Sequence, residues 1–448
     1  MAAPTQTNAQ PAAATSSPIR GEIRSLTGLR IVAALWVVVF HFSYTPGNAY
    51  SPYWVPFAPL VHSGALGVDL FYVLSGFVIT LTYLEKLGPR PSVRGSVVFW
   101  WARVCRIWPV YALVITLFGG WLLYKSTRVT DGFLSWQVVQ PVVDLRHWAE
   151  QLLMVQLWHH PHFDGVSWVG PAWSISAEWF AYVCFPLLAL LLFRLRRLPA
   201  PVTGALAVLA MVPIALACYR TGGPAFDWAW LARIAGGFLS GALTCLAVRR
   251  VQRTEKVERV AAVVGVLALV EILVAMWWGD WRGQGQGDFG GVALVLFPVL
   301  VGALALSPRG LSRPLSTRPM VHGGRISFSL YLVHVPVFEI FWTFMAWHPR
   351  MGPGTALGEI LVPHVLVGVV VLAHLCHRFV EEPARVLLRG RGPGRLAGLG
   401  RAVPAVTVPP VPADAPARPA APLPRHAGPA AVTARGRADV PEDVGSAV

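Results

Sequence analysis

The chain has 448 residues, 55% of them hydrophobic and 13% charged, about half the charged share of a soluble domain, which excludes a water-soluble globular protein. Its formal net charge is +15, from 37 Lys and Arg against 22 Asp and Glu. A basic and strongly apolar chain points to a membrane protein whose cytoplasmic loops hold the cations, so a lipid bilayer and no nucleic acid is the expected partner.

Taken in chain order, residues 1–25 open as a low-complexity Ala, Pro, Ser, Thr, Gln and Asn segment without a signal-peptide core and read as disordered. Residues 26–385 hold ten stretches apolar and long enough to cross a bilayer: Leu29–Tyr44, Leu66–Leu84, Trp108–Tyr124, Ala172–Phe193, Val202–Tyr219, Trp230–Val248, Val260–Trp278, Phe289–Leu306, Ile326–Trp347 and Glu359–His377. Residues 386–448 are a Pro/Ala/Arg-rich tail, again expected to be disordered. With a cytoplasmic N-terminus, 25 of the 37 cations fall in inner segments and 7 in outer ones. The expected fold is therefore an all-α membrane protein with about ten transmembrane helices and both termini cytoplasmic. The five cysteines are widely spaced, show no metal-ligand pattern and read as buried thiols.

A charge within a span costs roughly 2.5–3.5 kcal/mol on insertion scales, so each polar residue there is a candidate. Arg30 and His41 in the first span are eleven residues apart, which puts them on one helix face within about 20° and about 16 Å apart along the axis. That is either a guanidinium at the cytoplasmic mouth with a titratable imidazole deeper in, or a snorkelling Arg and an interfacial His. Asp69 in the second span is placed to orient a histidine or pair with an arginine, and Ser75-Gly76 permits a close helix approach. Arg103 and Arg106, three apart, suit bidentate phosphate binding or simple anchoring at the inner face. The outer segment from Lys125 to Pro171 carries four tryptophans and an amphipathic stretch near His147–Leu157, and it can cap an outward-facing pocket.

In the fourth span Ser174 and Glu178 share a face, with Glu178 expected at about the depth of His41. In the ninth, Ser327, Tyr331 and His334 share a face that suits either a substrate channel or a structural, hydrogen-bonded histidine. Glu271, Glu339, His364 and His374 receive no role.

Five segments in this order resemble the acyltransferase 3 family of integral membrane acyltransferases. They are Leu26-Thr27-Gly28-Leu29-Arg30 with His41-Phe42 ten residues on, Gly67-Val68-Asp69-Leu70-Phe71 through Ser75-Gly76-Phe77, Arg103-Val104-Cys105-Arg106 with Pro109 and Tyr111, Trp173-Ser174-Ile175-Ser176-Ala177-Glu178, and Ile326-Ser327 through Tyr331 and His334. Thr27 stands where many members carry Asp, and Trp179 where a second acid is frequent.

The resemblance implies transfer of an acyl group, most often acetyl, from acyl-CoA to a hydroxyl, without a metal. Carried onto these residues, Arg30, Arg103 and Arg106 receive the polyanionic CoA at the cytoplasmic mouth. His41 acts as general base, or is itself acylated, with Glu178 or Asp69 orienting its ring. Ser75, Ser174 and Tyr331 are candidate oxyanion donors, and His334 a further pocket residue. The expected acceptor is a cell-envelope carbohydrate or glycolipid, with a macrolide-type secondary metabolite as the alternative. A non-catalytic membrane transporter is the alternative of another class. The Arg-rich composition, with three Lys, suits a GC-rich bacterial genome and hence the bacterial inner membrane.

Overall fold

A computed structural model describes residues 22–45, 55–129, 133–283, 289–352 and 354–393. The described part is helical, with no strand, and ten segments are long and apolar enough to cross a membrane. The helices are α1 (Arg24–Phe42), α2 (Ala58–His62), α3 (Gly67–Leu87), α4 (Val93–Ser126), α5 (Leu145–Leu152), α6 (Trp173–Leu195), α7 (Ala200–Leu209), α8 (Val212–Thr221), α9 (Ala229–Arg250), α10 (Glu255–Gly283), α11 (Phe297–Leu306), α12 (Ser312–Leu315), α13 (Arg318–Trp347), α14 (Ala356–Cys376) and α15 (Glu382–Arg391).

The spans match the ten expected stretches but mostly run longer, because basic residues that lower the local hydropathy still continue the helix. The third expected span, Trp108–Tyr124, is only the apolar half of the 34-residue α4, and Arg103 and Arg106 lie on that helix. The fifth span is divided into α7 and α8 at Ala210–Met211, with Pro213 opening the second piece. The expected low-complexity ends, residues 1–21 and 394–448, lie outside the described residues, while α1 begins at Arg24 and helix continues to Arg391. All five cysteines are free thiols. Cys105, Cys218 and Cys245 are buried, Cys376 is half-buried, and Cys184 is exposed on the outward side of α6, which corrects the expectation of five buried thiols.

Two helix pairs position the site. α3 packs along α9, where a Cβ on Gly76 would collide with the Phe238 carbonyl and one on Gly241 with the Val73 carbonyl, so the Ser75-Gly76 seam is a close backbone approach as expected. α1 packs along α13, where a side chain on Gly324 would strike the Thr27 carbonyl. These contacts bring the Arg30–His41 face of α1 against the Ser327–His334 face of α13.

The loop before α6 folds back over the bundle. Asp144 caps α5 by accepting from the His147 N–H at 2.8 Å, and that N–H and the His147 ring hold the Asp144 carboxyl below its usual range. The amphipathic stretch expected near His147–Leu157 is a helix only from Leu145 to Leu152, because Met154 turns the chain with φ 59°. Glu339, unassigned from the sequence, holds this loop down. It is buried and accepts from Ser135 Oγ (2.8 Å) and the Trp136 N–H (3.0 Å).

Candidate active site

At the basic end of the bundle, α1 and α4 bring Arg30, Arg103 and Arg106 together, and Arg106 lies within Coulomb reach of the other two and of Glu381. Arg103 donates from Nη2 to the Tyr83 hydroxyl (3.1 Å) and lies over the Tyr83 ring (5.3 Å). Among the described residues the Nε–H groups of Arg30 and Arg103 are buried without a hydrogen-bond partner. Three clustered cations, two of them with an unused buried donor, are a poor structural device, since buried donors are normally satisfied. They are a good receptor for a polyanion.

Arg30 opens onto a narrow cleft of about 50 Å³ whose walls include Tyr72, Ser174, Glu178, Ser327 and Tyr331. Glu178 accepts from the Tyr182 hydroxyl at 2.5 Å, and Ser75 Oγ lies 3.0 Å from that hydroxyl, so Ser75 is committed to Tyr182. Glu178 thus sits with Arg30 and not at the depth of His41. The reason is where α6 starts. Pro171 and Trp173 already line the outer cavity, and Glu178 is five residues, roughly 7.5 Å, further along the axis toward the basic end.

On the other side lies a cavity of about 760 Å³, within the usual range for ligand sites. His41 lines it, together with the aromatic side chains Trp136, Phe163, Trp173 and Trp342 and the carboxylates of Asp164 and Glu339. Phe163 stacks on Trp173 with ring centroids 4.6 Å apart. Tyr331 and Val68 line both this cavity and the cleft, so they form the partition. There the Tyr331 hydroxyl lies 2.7 Å from Ser174 Oγ and 3.1 Å from the Pro171 carbonyl oxygen. A third cavity, an apolar groove of about 460 Å³ between α1 and α10, carries no ionisable lining residue.

The ring partner of His41 is His334. His41 Nδ1 lies 3.0 Å from the Val37 carbonyl oxygen and 3.2 Å from His334 Nε2, and among the described residues no carboxylate hydrogen-bonds the ring. Of the two expectations for Asp69, pairing with an arginine holds and orienting a histidine does not: both its oxygens are taken by Arg233, at 3.0 and 2.7 Å, with both side chains buried. Arg233, not singled out from the sequence, lies three residues inside the sixth expected span. An Asp and an Arg alone in two apolar spans were the signal that pairs them. Glu271, also unassigned, faces outward from α10. His374 Nδ1 lies 3.2 Å from His322 Nε2, and His364 Nδ1 contacts the Ile360 carbonyl. Among the described residues no group of three or more potential ligands is placed to hold a metal ion.

The sequence profile of the acyltransferase 3 family, described as an acyltransferase domain, matches residues 23–376. The acyltransferase MdmB of Streptomyces mycarofaciens is 27% identical over 396 residues, covering 82% of this chain and 93% of MdmB. The O-acetyltransferase OatA of Staphylococcus aureus is 22% identical over 377 residues, covering 80% of this chain and 57% of OatA. No solved structure matches.

Proposed function

Because the chain belongs to the acyltransferase 3 family and is a multi-pass membrane protein, we propose that it moves an acyl group, most often acetyl, from acyl-CoA to a hydroxyl of a cell-envelope carbohydrate or glycolipid. In this reading it lies in the bacterial inner membrane with Arg30, Arg103 and Arg106 at the cytoplasmic face. The observation that carries the reading is the arrangement along α1. Arg30, with a free buried N–H, opens on one cleft, and His41 lines the large cavity beyond it.

The arginines take the phosphates of CoA, and the thioester arm runs along the Glu178-lined cleft toward Tyr331. There it meets the acceptor hydroxyl held in the outer cavity. The hydroxyl gives its proton to His41 as its oxygen attacks the thioester carbon. The C–S bond breaks, and the CoA sulfur recovers the proton from His41. Tyr331, on the partition, is the favoured donor to the developing oxyanion. Its O–H turns from the Pro171 carbonyl to the oxyanion, Ser174 beside it supports it, and Ser75 is set aside because it lines neither the cleft nor the cavity. The flat faces of Trp136, Trp173 and Trp342 complement the C–H faces of a sugar ring, which favours a carbohydrate acceptor. The size of the cavity favours a macrolide-type metabolite as the second reading.

Mass spectrometry of envelope glycans and secreted metabolites from a deletion strain tests this. An acetyl mass should vanish and return with the wild-type gene but not with His41→Ala. An unchanged acetyl pattern contradicts the reading. Thiol release from acyl-CoA by isolated membranes separates an enzyme from a transporter, which releases none.

A further inference from the structure

We propose that His334 is the positioning residue for the His41 base, filling with a neutral imidazole the place that a carboxylate holds in other acyl transfers. The inference rests on the function proposed above.

The carbonyl contacts fix both tautomers. His334 is fully buried on α13, with Nδ1 3.2 Å from the Leu330 carbonyl oxygen one turn back on its own helix. A carbonyl oxygen only accepts, so Nδ1 carries the proton and Nε2 presents a lone pair. That lone pair faces His41 Nδ1 at 3.2 Å. His41 repeats the pattern on α1, with Nδ1 3.0 Å from the Val37 carbonyl oxygen. Its proton is therefore also on Nδ1, shared between Val37 and His334. What remains is His41 Nε2, proton-free and without a protein partner among the described residues, on a residue that lines the outer cavity.

Asp164 lines the same cavity but makes no hydrogen bond to the His41 ring, and the other nearby carboxylates are taken. Asp69 is held by Arg233, Glu178 by Tyr182, and Glu339 by Ser135 and Trp136. The His334 ring is packed between Tyr331 and Phe338, with centroids 5.7 and 5.9 Å away. It cannot turn its Nε2 aside without disturbing both. During transfer the acceptor proton arrives on His41 Nε2 and leaves from it to the CoA sulfur. The Nδ1 proton stays in place, held by Val37 and His334. His334 does not accept that proton, because a cation there would be buried among apolar rings with no counter-charge. Its work is to hold the ring so that the free nitrogen points at the acceptor.

The test uses the full chain in lipid nanodiscs, with acetyl-CoA and an alkyl glucoside as probes and thiol release as the readout. His334→Leu should lower kcat about 10²-fold with both KM values unchanged. His334→Gln, whose amide oxygen accepts the same Nδ1 proton, should recover about tenfold of that loss. Wild-type kcat in His334→Leu, a glutamine variant no better than leucine, or a loss confined to KM would each overturn the inference. If the leucine variant does not fold, His334→Met replaces it in the same comparison with glutamine. An active His41→Ala would overturn the base assignment itself. An inactive His41→Ala beside a fully active His334→Leu would overturn only the present inference.

Discussion

Asp69 and Arg233 on one side, and Arg30, Arg103 and Arg106 on the other, show two ways in which this bundle carries charge inside its spans. The first two satisfy each other bidentately and are buried, and Arg233, at the wall of the outer cavity, also donates to the Ala65 carbonyl. The three arginines lie close to one another, with unused donors on Arg30 and Arg103 among the described residues. A pair whose charges are spent on each other ties α3 to α9 and leaves little charge for a ligand. A cluster of like charges weakens the apo bundle and is worth keeping only if an anion completes it. On the proposed function, charges spent on each other hold the bundle together and the arginines with unspent donors receive the ligand.

The largest effect should come from breaking the buried pair of Asp69 and Arg233. Asp69→Ala leaves the Arg233 guanidinium buried and uncompensated, at a cost of about 3–5 kcal/mol, and should abolish recovery of folded protein in detergent. Replacing both partners, Asp69→Leu with Arg233→Met, should restore folding, because removing both charges spares their desolvation. An Asp69→Ala protein with normal thermal stability and lost turnover would return Asp69 to the catalytic machinery.

Arg103→Ala probes the other class. It removes charged hydrogen bonds worth about 1.5–3 kcal/mol, so the KM for acetyl-CoA should rise roughly ten- to a hundredfold while the melting temperature holds or rises. A fall in stability with unchanged CoA dependence would make Arg103 a structural anchor. Tyr331→Phe at the partition should reduce kcat roughly tenfold in steady-state thiol release, since one neutral donor to the oxyanion is lost. An unaltered kcat would exclude Tyr331 as that donor. Smallest is Glu339→Gln, which weakens the tie to Ser135 and the Trp136 N–H. It should raise the acceptor KM a few-fold without touching that of acetyl-CoA. A change in both KM values would mean that the loop does more than roof the outer cavity.

The ten spans, the shared face of Arg30 and His41 and the Ser75-Gly76 seam were legible because each depends on local composition or on a single helical period. What the sequence hid depends on which helix faces which. His334 lies 293 residues from its ring partner, and Arg233 lies 164 from Asp69. No periodicity within one helix reports either pairing. Glu178 lies on the expected helix but nearer Arg30 than expected, since hydropathy places a span in the membrane but not the start of its helix against a neighbour. Glu339 looked like an isolated intramembrane acid because its partners are a hydroxyl and a backbone N–H of the outer loop, which carry no sequence signature.

The central claim is that the free groups along α1 form a donor mouth and a base acting on one transfer. The most direct measurement compares wild-type and His41→Ala proteins in nanodiscs for CoA binding and for thiol release from acetyl-CoA with an alkyl glucoside. The account predicts equal CoA affinity and thiol release reduced by about 10³-fold or more in the variant. Thiol release at the wild-type rate in a folded, CoA-binding His41→Ala protein would contradict it.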